Sequence, residues 1–547
     1  MLLHTKIVCV GITLLLSMLT LLIGGASHSL AAPTSDAVVQ PPCGEAEFDA
    51  ALMTVQASAS GGTITFHCAN PTTITFTSIK LIDGNVVIDG GAPDAITLSG
   101  GNTTGLFLVD IGNLTMRNLT LANASATQQG AITVGLAGKL TLDNCALKNN
   151  HAVGHSGGAI DDSGAMTVTN SLFSNNQADV NGGAIHIDAN AWTLISGTTF
   201  LSNSTTNSGG ALYNLSDIFV VNSYFANNTA AINDGGGIWT GNHLDIDNST
   251  FYSNTAASGW GGGLYNQGTL IVTNGSLNAN TAKQGGGGVQ TYLGQTQLYN
   301  LTILNNKVAL GTGIGGGLSN SQGQLTAENS TISGNRAAGG GGISNHSGSA
   351  SLIGLTLSNN AAAVTGGGIK NENGSVSLTN ATLSGNTALG GGGFYNYTGT
   401  AYLTNVSLSG NSASNIGGGV SNSSFGTPHL GLFNVIVADN PIGGNCYFGK
   451  APDYSESNLS SDNTCSFGAG RDNVDAMLAP LGNYGGPTQT YLPLPGSPAI
   501  DHGNNTDCLN IDQRGKSRPV NGTCDVGAVE RQLVDVSYFI WLPLIEK

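Results

Sequence analysis

The sequence predicts an all-β solenoid, a parallel β-helix of about 14 coils with about 26 residues in each, and three observations lead to this fold class. A Gly-Gly-x-apolar motif returns 11 times between residues 157 and 420, at intervals of 25 to 29 residues. An Asn-x-x-apolar-x-x-Asn motif alternates with it, and its closing asparagine is never missing. Within the repeat, apolar and polar residues alternate as in a strand with one buried face, and helix formers are missing. Such repeats stack as the coils of a parallel β-helix.

The composition fits this fold and excludes one class of function. Asparagine at fixed turn positions forms side-chain ladders from coil to coil, and the 82 glycines supply the positive φ of tight corners. Lysine and arginine number 16, against 32 aspartates and glutamates, and the net charge is −16. No basic surface is available to neutralise phosphates, so nucleic-acid binding is excluded.

Residues 1–31 have the layout of a secretory signal peptide. Lys6 precedes an uncharged apolar run over 7–23, and Ser29-Leu30-Ala31 offers a small-x-small cleavage site. The run is also long enough for an uncleaved membrane anchor, and this alternative stays open. After cleavage no membrane span is expected. Export predicts a secreted or cell-surface protein in an oxidising compartment.

Residues 32–70 are expected to cap the first coil, because an open β edge would pair with other chains. An amphipathic helix is predicted over 45–57. Its apolar face consists of Phe48, Ala51, Leu52 and Val55. The β-helix itself is expected over 71–440.

A small C-terminal region over 441–530 and a short apolar tail over 531–547 follow the β-helix. The tail is too short to span a bilayer, and it is either a sorting tag or a strand docked on the region before it. Six cysteines fall into neighbouring pairs that suit disulfides formed after export, and Cys145 is left over. The pairs are Cys43 with Cys68, Cys446 with Cys465, and Cys508 with Cys524.

Two sets of motifs resemble known families. Gly157-Gly158-Ala159-Ile160 and Phe173-Ser174-Asn175-Asn176 resemble the GGA[ILV] and FxxN repeats of polymorphic outer-membrane proteins. This resemblance implies a right-handed β-helix of the pectin-lyase-like superfamily. Leu478-Ala479-Pro480-Leu481-Gly482, Asp512-Gln513-Arg514-Gly515 and Cys524-Asp525-Val526-Gly527 are similar to the choice-of-anchor Q family. That resemblance implies bacterial export and display at the surface or outside the cell, and no chemistry.

Enzymes on this fold act mostly on polysaccharides and need clustered carboxylates. The acidic candidates are Asp161 and Asp162, which are adjacent, and Asp188 one coil on, so that Asp162 and Asp188 could approach each other. No Gly-His-Gly or Arg-x-Lys partner lies near them, and Arg336 is the only arginine between residues 130 and 440. No cofactor is expected, and calcium binding stays open without a motif that supports it.

A column of outward-pointing side chains is expected one residue past each Gly-Gly-x-apolar corner. Four successive coils place His186, Tyr213, Trp239 and Tyr265 in this column. Such rings either bind a glycan or another partner, or only cover the sheet and pack on one another.

The sequence therefore predicts an exported scaffold without catalysis, an adhesion or matrix-like protein that is not an enzyme. Its expected partners are extracellular polysaccharides or surface proteins. The alternative is a polysaccharide lyase or glycoside hydrolase on the same fold, because fold alone does not decide function.

Overall fold

The structure, a computed structural model, is a right-handed parallel β-solenoid of about 16 turns, which confirms the predicted fold class with slightly more coils. It describes residues 35–127, 130–309, 311–533 and 535. The predicted signal peptide and nearly all of the apolar tail lie outside these residues. Within them, no helix has the length and apolar character needed to cross a membrane.

Sheet 1 is the largest of three sheets that run along the solenoid, with 31 strands. Most coils contribute two strands to it, separated by a short turn. Its strands are Ala37–Val39, Gly62–Phe66, Thr72–Thr75, Asn85–Asp89, Ile96–Ser99, Asn113–Arg117, Leu119–Ala122, Lys139–Asp143, Ala146–Lys148, Ala165–Thr169, Leu172–Ser174, Trp192–Ser196, Thr199–Leu201, Asp217–Val221, Tyr224–Ala226, His243–Asp247, Thr250–Tyr252, Thr269–Thr273, Ser276–Asn278, Gln295–Tyr299, Thr302–Leu304, Gln324–Glu328, Thr331–Ser333, Ser349–Ile353, Thr356–Ser358, Ser375–Ser384, Thr400–Ser409, His429–Phe433, Ile436–Ala438, Tyr454–Glu456 and Leu459–Ser460.

Sheets 2 and 3 take one strand per coil and have 15 and 12 strands. The strands of sheet 2 are Lys80–Ile82, Phe107–Val109, Ile132–Val134, Ile160–Asp162, Ile185–Ile187, Leu212–Asn214, Ile238–Thr240, Leu264–Asn266, Val289–Tyr292, Leu318–Ser321, Ile343–His346, Ile369–Glu372, Phe394–Asn396, Val420–Asn422 and Cys446–Phe448. The strands of sheet 3 are Ser125–Ala126, His151–Ala152, Gln177–Ala178, Ser204–Thr205, Thr229–Ala230, Thr255–Ala256, Thr281–Ala282, Lys307–Val308, Arg336–Gly339, Ala361–Thr365, Thr387–Gly390 and Ser412–Ile416. From Ile160 onward, each sheet 2 strand begins at the apolar residue of a Gly-Gly-x-apolar motif until the repeat ends at Val420.

The core consists of columns in which like side chains stack on successive coils. In-register pairing places Phe173, Phe200, Phe225 and Phe251 over one another. Their ring centroids are 4.9, 4.6 and 4.7 Å apart, and neighbouring rings are within 11° of parallel. Each ring is fully buried, and burying a side chain of this size contributes about 1.5–3 kcal/mol.

An asparagine ladder runs beside the phenylalanine column. It consists of Asn150, Asn176, Asn203, Asn228, Asn254, Asn280, Asn306, Asn335, Asn360, Asn386, Asn411 and Asn440, all of them buried. The backbone N–H and Nδ2 of Asn228 both donate to Asn254 Oδ1, at 3.1 and 2.9 Å. Asn228 Nδ2 also donates to the carbonyl oxygen of Phe200 at 3.0 Å. The same pattern joins each neighbouring pair, so the closing asparagine of the motif satisfies buried backbone groups at every turn.

The helix Glu45–Gln56 lies against the first coils. Its buried residues are Phe48, Ala51, Leu52 and Val55. The ring centroids of Phe48 and Phe76 are 4.9 Å apart. Lys80 Nζ lies 2.6 Å from Glu45 Oε1 and 2.7 Å from Asp49 Oδ1, so ion pairs at a buried lysine also tie the helix to sheet 2.

Residues 478–533 and 535, named here the C-terminal arm, run back along the outside of sheet 1. Asparagines at one repeat position of three successive coils donate Nδ2 hydrogens to carbonyl oxygens of the arm. The pairs are Asn380 with Ile511 at 2.9 Å, Asn405 with Asp507 at 3.2 Å, and Asn434 with Asn504 at 3.0 Å. Between Asn504 and Ile511 the chain thus runs back along the solenoid, and the arm covers the last coils.

Buried ion pairs hold the C-terminal arm together. Arg514 Nε lies 2.9 Å from Asp512 Oδ2, and Arg514 Nη1 lies 3.0 Å from Asp535 Oδ1. Arg518 Nε lies 3.2 Å from Glu530 Oε2. All five side chains are almost fully buried. Asp512 and Arg514, which belong to the C-terminal motifs, therefore form their ion pairs inside the arm.

The three predicted disulfides are present. They join Cys43 to Cys68, Cys446 to Cys465, and Cys508 to Cys524. Among the described residues, Cys145 is the cysteine without a disulfide, and it is buried. Burial raises the pKa of its thiol to about 11, as expected for an inert packed cysteine.

Candidate functional site

The side chains one residue past the apolar corners form a single column on the outer side of sheet 2, in the register that the repeat predicts. This set, named the outer column, contains Asp161, His186, Tyr213, Trp239, Tyr265, Gln290, Ser319, Ser344, Lys370, Tyr395 and Ser421. Its members are less exposed than outward-pointing side chains on an open sheet. Tyr265 is 6% exposed and Gln290 only 1%.

Tyr265 and Gln290, near the middle of the outer column, are buried because they lie on the floor of a groove. Gly261 has φ +68°, and a Cβ at this corner would lie 2.8 Å from Cβ of Tyr265, so the corner packs directly against the column. One side of the groove consists of the residues four positions before the apolar corners. Two of these, Trp260 and Gly285, pair in an isolated parallel β-bridge. The other side consists of residues two positions after the outer column, such as Tyr292.

The four predicted ring residues pack on one another. Ring centroids of His186 and Tyr213 are 5.4 Å apart, those of Tyr213 and Trp239 are 4.2 Å apart, and those of Trp239 and Tyr265 are 6.3 Å apart. All neighbouring rings are within 20° of parallel. Tyr213 lies between His186 and Trp239, so both faces of its ring are covered. Burial raises the pKa of Tyr265 to about 12. Glycan binding by these rings stays a prediction.

An acidic cluster lies at the N-terminal end of this stack. His186 Nδ1 is 2.7 Å from Asp161 Oδ1, and His186 Nε2 is 4.0 Å from Asp188 Oδ1. Ser163 Oγ donates to Asp188 Oδ2 at 2.6 Å. The three titratable side chains are partly exposed, and their ligand atoms lie within 4.8 Å of one another. Two carboxylates and an imidazole are ligand types that could hold a divalent cation such as zinc.

Asp162 belongs to the interior and not to this cluster. Its side chain is fully buried, and its two oxygens accept hydrogen bonds from Gly164 N–H and Thr193 Oγ1, both at 3.1 Å. Burial raises the pKa of Asp162 to about 6. Neighbouring residues of a strand point to opposite faces, so Asp161 and not Asp162 meets His186 and Asp188. Asp162 and Asp188 are joined through the backbone, where Asp188 N–H donates to the Asp162 carbonyl at 2.8 Å.

A cavity of about 320 Å³ opens in the groove at the other end of the stack. Its lining includes Asp234, Trp260, Tyr265, Gln290, Tyr292 and His346. The backbone N–H of Trp260 donates to Asp234 Oδ1 at 2.8 Å, and burial raises the pKa of Asp234. Gln290 Oε1 is buried, and no described residue is its hydrogen-bond partner.

Asp234 and Trp260 are among the cavity residues that the sequence analysis did not identify as site residues. Both stand four residues before an apolar corner, on successive coils, so the repeat contained a signal for their proximity. Gly285 takes the same position one coil further on. A Cβ at Gly285 would lie 2.4 Å from the Trp260 ring, so only glycine leaves space for this ring.

Comparison with known proteins supports the class of protein that the fold defines. Residues 96–277 match the family model for a right handed beta helix region. No curated protein matches the chain. The alginate lyase AlyGC of family PL6 is similar at 11% identity with a TM-score of 0.32, over 78% of this chain and 80% of the lyase. The A-modules of two mannuronan C-5 epimerases of Azotobacter vinelandii are similar at 14% and 13% identity with TM-scores of 0.30. Each covers 78% of this chain, and 96% or 98% of the module.

These comparisons correct one expectation. The solved structures reported above are of an alginate lyase and two mannuronan C-5 epimerases, so the expectation of a protein that is not an enzyme is withdrawn. At TM-scores of this size the likeness carries no argument about the substrate or the reaction of this chain. Those depend on its own residues.

Proposed function

We propose that this protein is polysaccharide-active: a sugar chain lies in the groove over the outer column, and His186 transfers a proton during its cleavage. The observation that supports this proposal is the Asp161–His186 pair, which stands in the same column as the stacked rings and the cavity residues Tyr265 and Gln290. Five coil steps separate Asp161 from Gln290, so a sugar chain that reaches from the pair to the cavity would span roughly 24 Å at the usual strand spacing. That length accommodates a short oligosaccharide.

His186 meets the requirements for a proton-transfer group. Its ring is partly exposed, and the 2.7 Å contact with Asp161 holds Nδ1 in one orientation. A carboxylate at Nδ1 favours a proton on that nitrogen and leaves Nε2 as the basic atom. Cleavage of a glycosidic linkage, by hydrolysis or by elimination, needs a group that accepts or delivers a proton in this way.

The stacked rings support His186 from the other side. The Tyr213 ring lies nearly parallel to the imidazole, with Trp239 behind it. Packing of this kind fixes the rotamer of the histidine. Because the ring faces are covered, the rings would contact a sugar chain through their edges, where tyrosine O–H and tryptophan N–H groups are available.

Extracellular polysaccharide is the partner that fits the rest of the chain. Three disulfides are compatible with a protein that works outside the cytoplasm. The signal peptide over 1–31 and a choice-of-anchor Q-like region that displays the protein at the surface belong to this proposal.

The test is a screen of residues 32–547 on a polysaccharide panel, in which retention and new reducing or unsaturated ends are measured together. We expect His186→Gln to remove the new ends and to keep retention, because the groove remains while the proton-transfer group is lost. The matched control is His151→Gln. His151 also contacts a carboxylate, Asp179, at 2.9 Å, but it lies on sheet 3, away from the groove.

Each outcome of the screen bears on the proposal. New ends that are lost in His186→Gln and kept in His151→Gln support it. Retention without new ends on every polysaccharide would overturn the catalytic part, and unchanged cleavage by His186→Gln would remove His186 from the reaction. The absence of retention on all polysaccharides would overturn the groove as a sugar site.

A further inference from the structure

We propose that the cavity around Gln290 is a subsite for a neutral, hydroxyl-rich sugar unit and disfavours uronate units. This inference rests on the proposed function, that a polysaccharide lies in the groove, and adds the chemical class of the sugar.

The first observation is the unpartnered amide oxygen of Gln290. Gln290 Nε2 donates to the Thr291 carbonyl at 2.7 Å and to Ser321 Oγ at 3.2 Å. Oε1 has no such partner among the described residues, although the side chain is 1% exposed. Ser319 Oγ, on the next coil of the outer column, is also buried without a described partner. Buried polar atoms are normally satisfied, so Oε1 lacks a donor that a ligand hydroxyl or a water molecule in the cavity would supply.

The second observation is the pairing of aromatic walls with hydrogen-bonding groups. Trp260 and Tyr292 line the cavity. Tyr265, also in the lining, accepts a hydrogen bond from Gln267 Nε2 at 3.1 Å, so its own hydroxyl hydrogen remains available. Apolar walls with a few fixed polar groups are typical of small-molecule sites. A sugar ring offers both an apolar C–H face and several hydroxyl donors.

The third observation is the sign of the charge around the cavity. Of the residues that the structure describes, Asp234 lines the cavity and no lysine or arginine does. The nearest outer-column cation, Lys370, is engaged with Glu372 at 2.6 Å. His346 lies 3.7 Å from the same glutamate. A uronate carboxylate would meet Asp234 without a compensating cation, whereas a hydroxyl would donate to it.

The experiment measures retention of residues 32–547 in gels that contain either neutral polysaccharides or polyuronates. Galactomannan and mixed-linkage β-glucan are the neutral probes, and alginate and polygalacturonate are the polyuronates. The variant is Gln290→Met, which keeps the shape of the side chain and removes the acceptor. Its matched control is Gln297→Met, because Gln297 lies on the same coil but in sheet 1. Thermal unfolding followed by circular dichroism checks that both variants fold.

We expect stronger retention by neutral polysaccharides than by polyuronates, with affinity reduced about tenfold in Gln290→Met and unchanged in Gln297→Met. A second variant, Asp234→Asn, should increase retention by polyuronates, and no increase would overturn the charge argument. Retention by polyuronates alone would overturn the inference and leave the proposed function standing. An affinity for neutral polysaccharides that is the same in Gln290→Met as in the wild type would do the same. No retention by either class would mean that the proposed function itself has failed.

Discussion

The asparagine ladder makes Asn254→Ala a demanding test of how the coils are held together. Asn254 Oδ1 accepts hydrogen bonds from the N–H and Nδ2 of Asn228, and its Nδ2 donates to Asn280 Oδ1 and to the Phe225 carbonyl. The substitution removes all four bonds from a site with no solvent exposure. It leaves the Asn228 N–H without its acceptor. With about 1–3 kcal/mol for each buried group left unsatisfied, we expect a loss of about 3–5 kcal/mol.

The assay combines urea unfolding, followed by circular dichroism, with native-state hydrogen exchange. Unfolding measures the total loss, and exchange locates it, because the Asn228 amide should lose protection while distant coils keep theirs. Asn233→Ala is the matched control. Asn233 is exposed in a loop, and surface changes of this kind are usually within about 0.5 kcal/mol.

A small effect would refute this reasoning. One hydrogen bond is worth about 1 kcal/mol. If the free energies of unfolding of Asn254→Ala and of the control differed by less than about this amount, the ladder would not stabilise the coils as described. An Asn228 amide that stays protected would lead to the same conclusion.

The remaining predictions concern buried ionisable groups. Burial raises the pKa of Asp162 to about 6, so ionisation opposes folding above that pH and stability rises as the pH falls from 8 towards 4. Asp162→Asn should therefore raise the free energy of unfolding by about 2–3 kcal/mol at pH 8 and flatten its dependence on pH, as measured by urea unfolding. An unchanged pH dependence would contradict this prediction. Cys145 should react with a thiol reagent only after denaturation, because its thiol is buried with a pKa of about 11. Rapid labelling of the native protein would contradict this. Arg514→Met leaves Asp512 and Asp535 unpaired and should destabilise the C-terminal arm by about 3–5 kcal/mol. Limited proteolysis should then remove the arm first, and wild-type resistance would show that the ion pairs are dispensable.

The repeat predicts what depends on period alone. The stacking of Phe200 on Phe225 and the order of the outer column follow from in-register coils, so a 26-residue spacing is sufficient to predict them. The same period assigns Asp161 to the outer face and Asp162 to the inner face. The pairing expected between Asp162 and Asp188 ignored this alternation.

The burial of Tyr265 and the path of the C-terminal arm could not be predicted from the period. Tyr265 is buried because the glycine corner of its own coil packs on it, which depends on the positive φ of Gly261. The arm contacts join residues far apart in sequence, such as Thr382 and Gln513, whose side-chain oxygens are 2.7 Å apart. No repeat relates these two segments, so their contact has no periodic signal.

The arm also limits the positions at which the solenoid can gain or lose whole coils. Its contacts with Asn380, Asn405 and Asn434 fall on consecutive coils and are spanned by only the few residues between Asn504 and Ile511. A coil duplicated between Asn380 and Asn434 would move two of these contacts apart by about 4.8 Å, which this short segment would have to bridge. A coil duplicated or deleted before residue 350 leaves every one of them in place. Insertions and losses of whole repeats should therefore accumulate in the N-terminal two thirds of the solenoid, while the last coils keep a constant number.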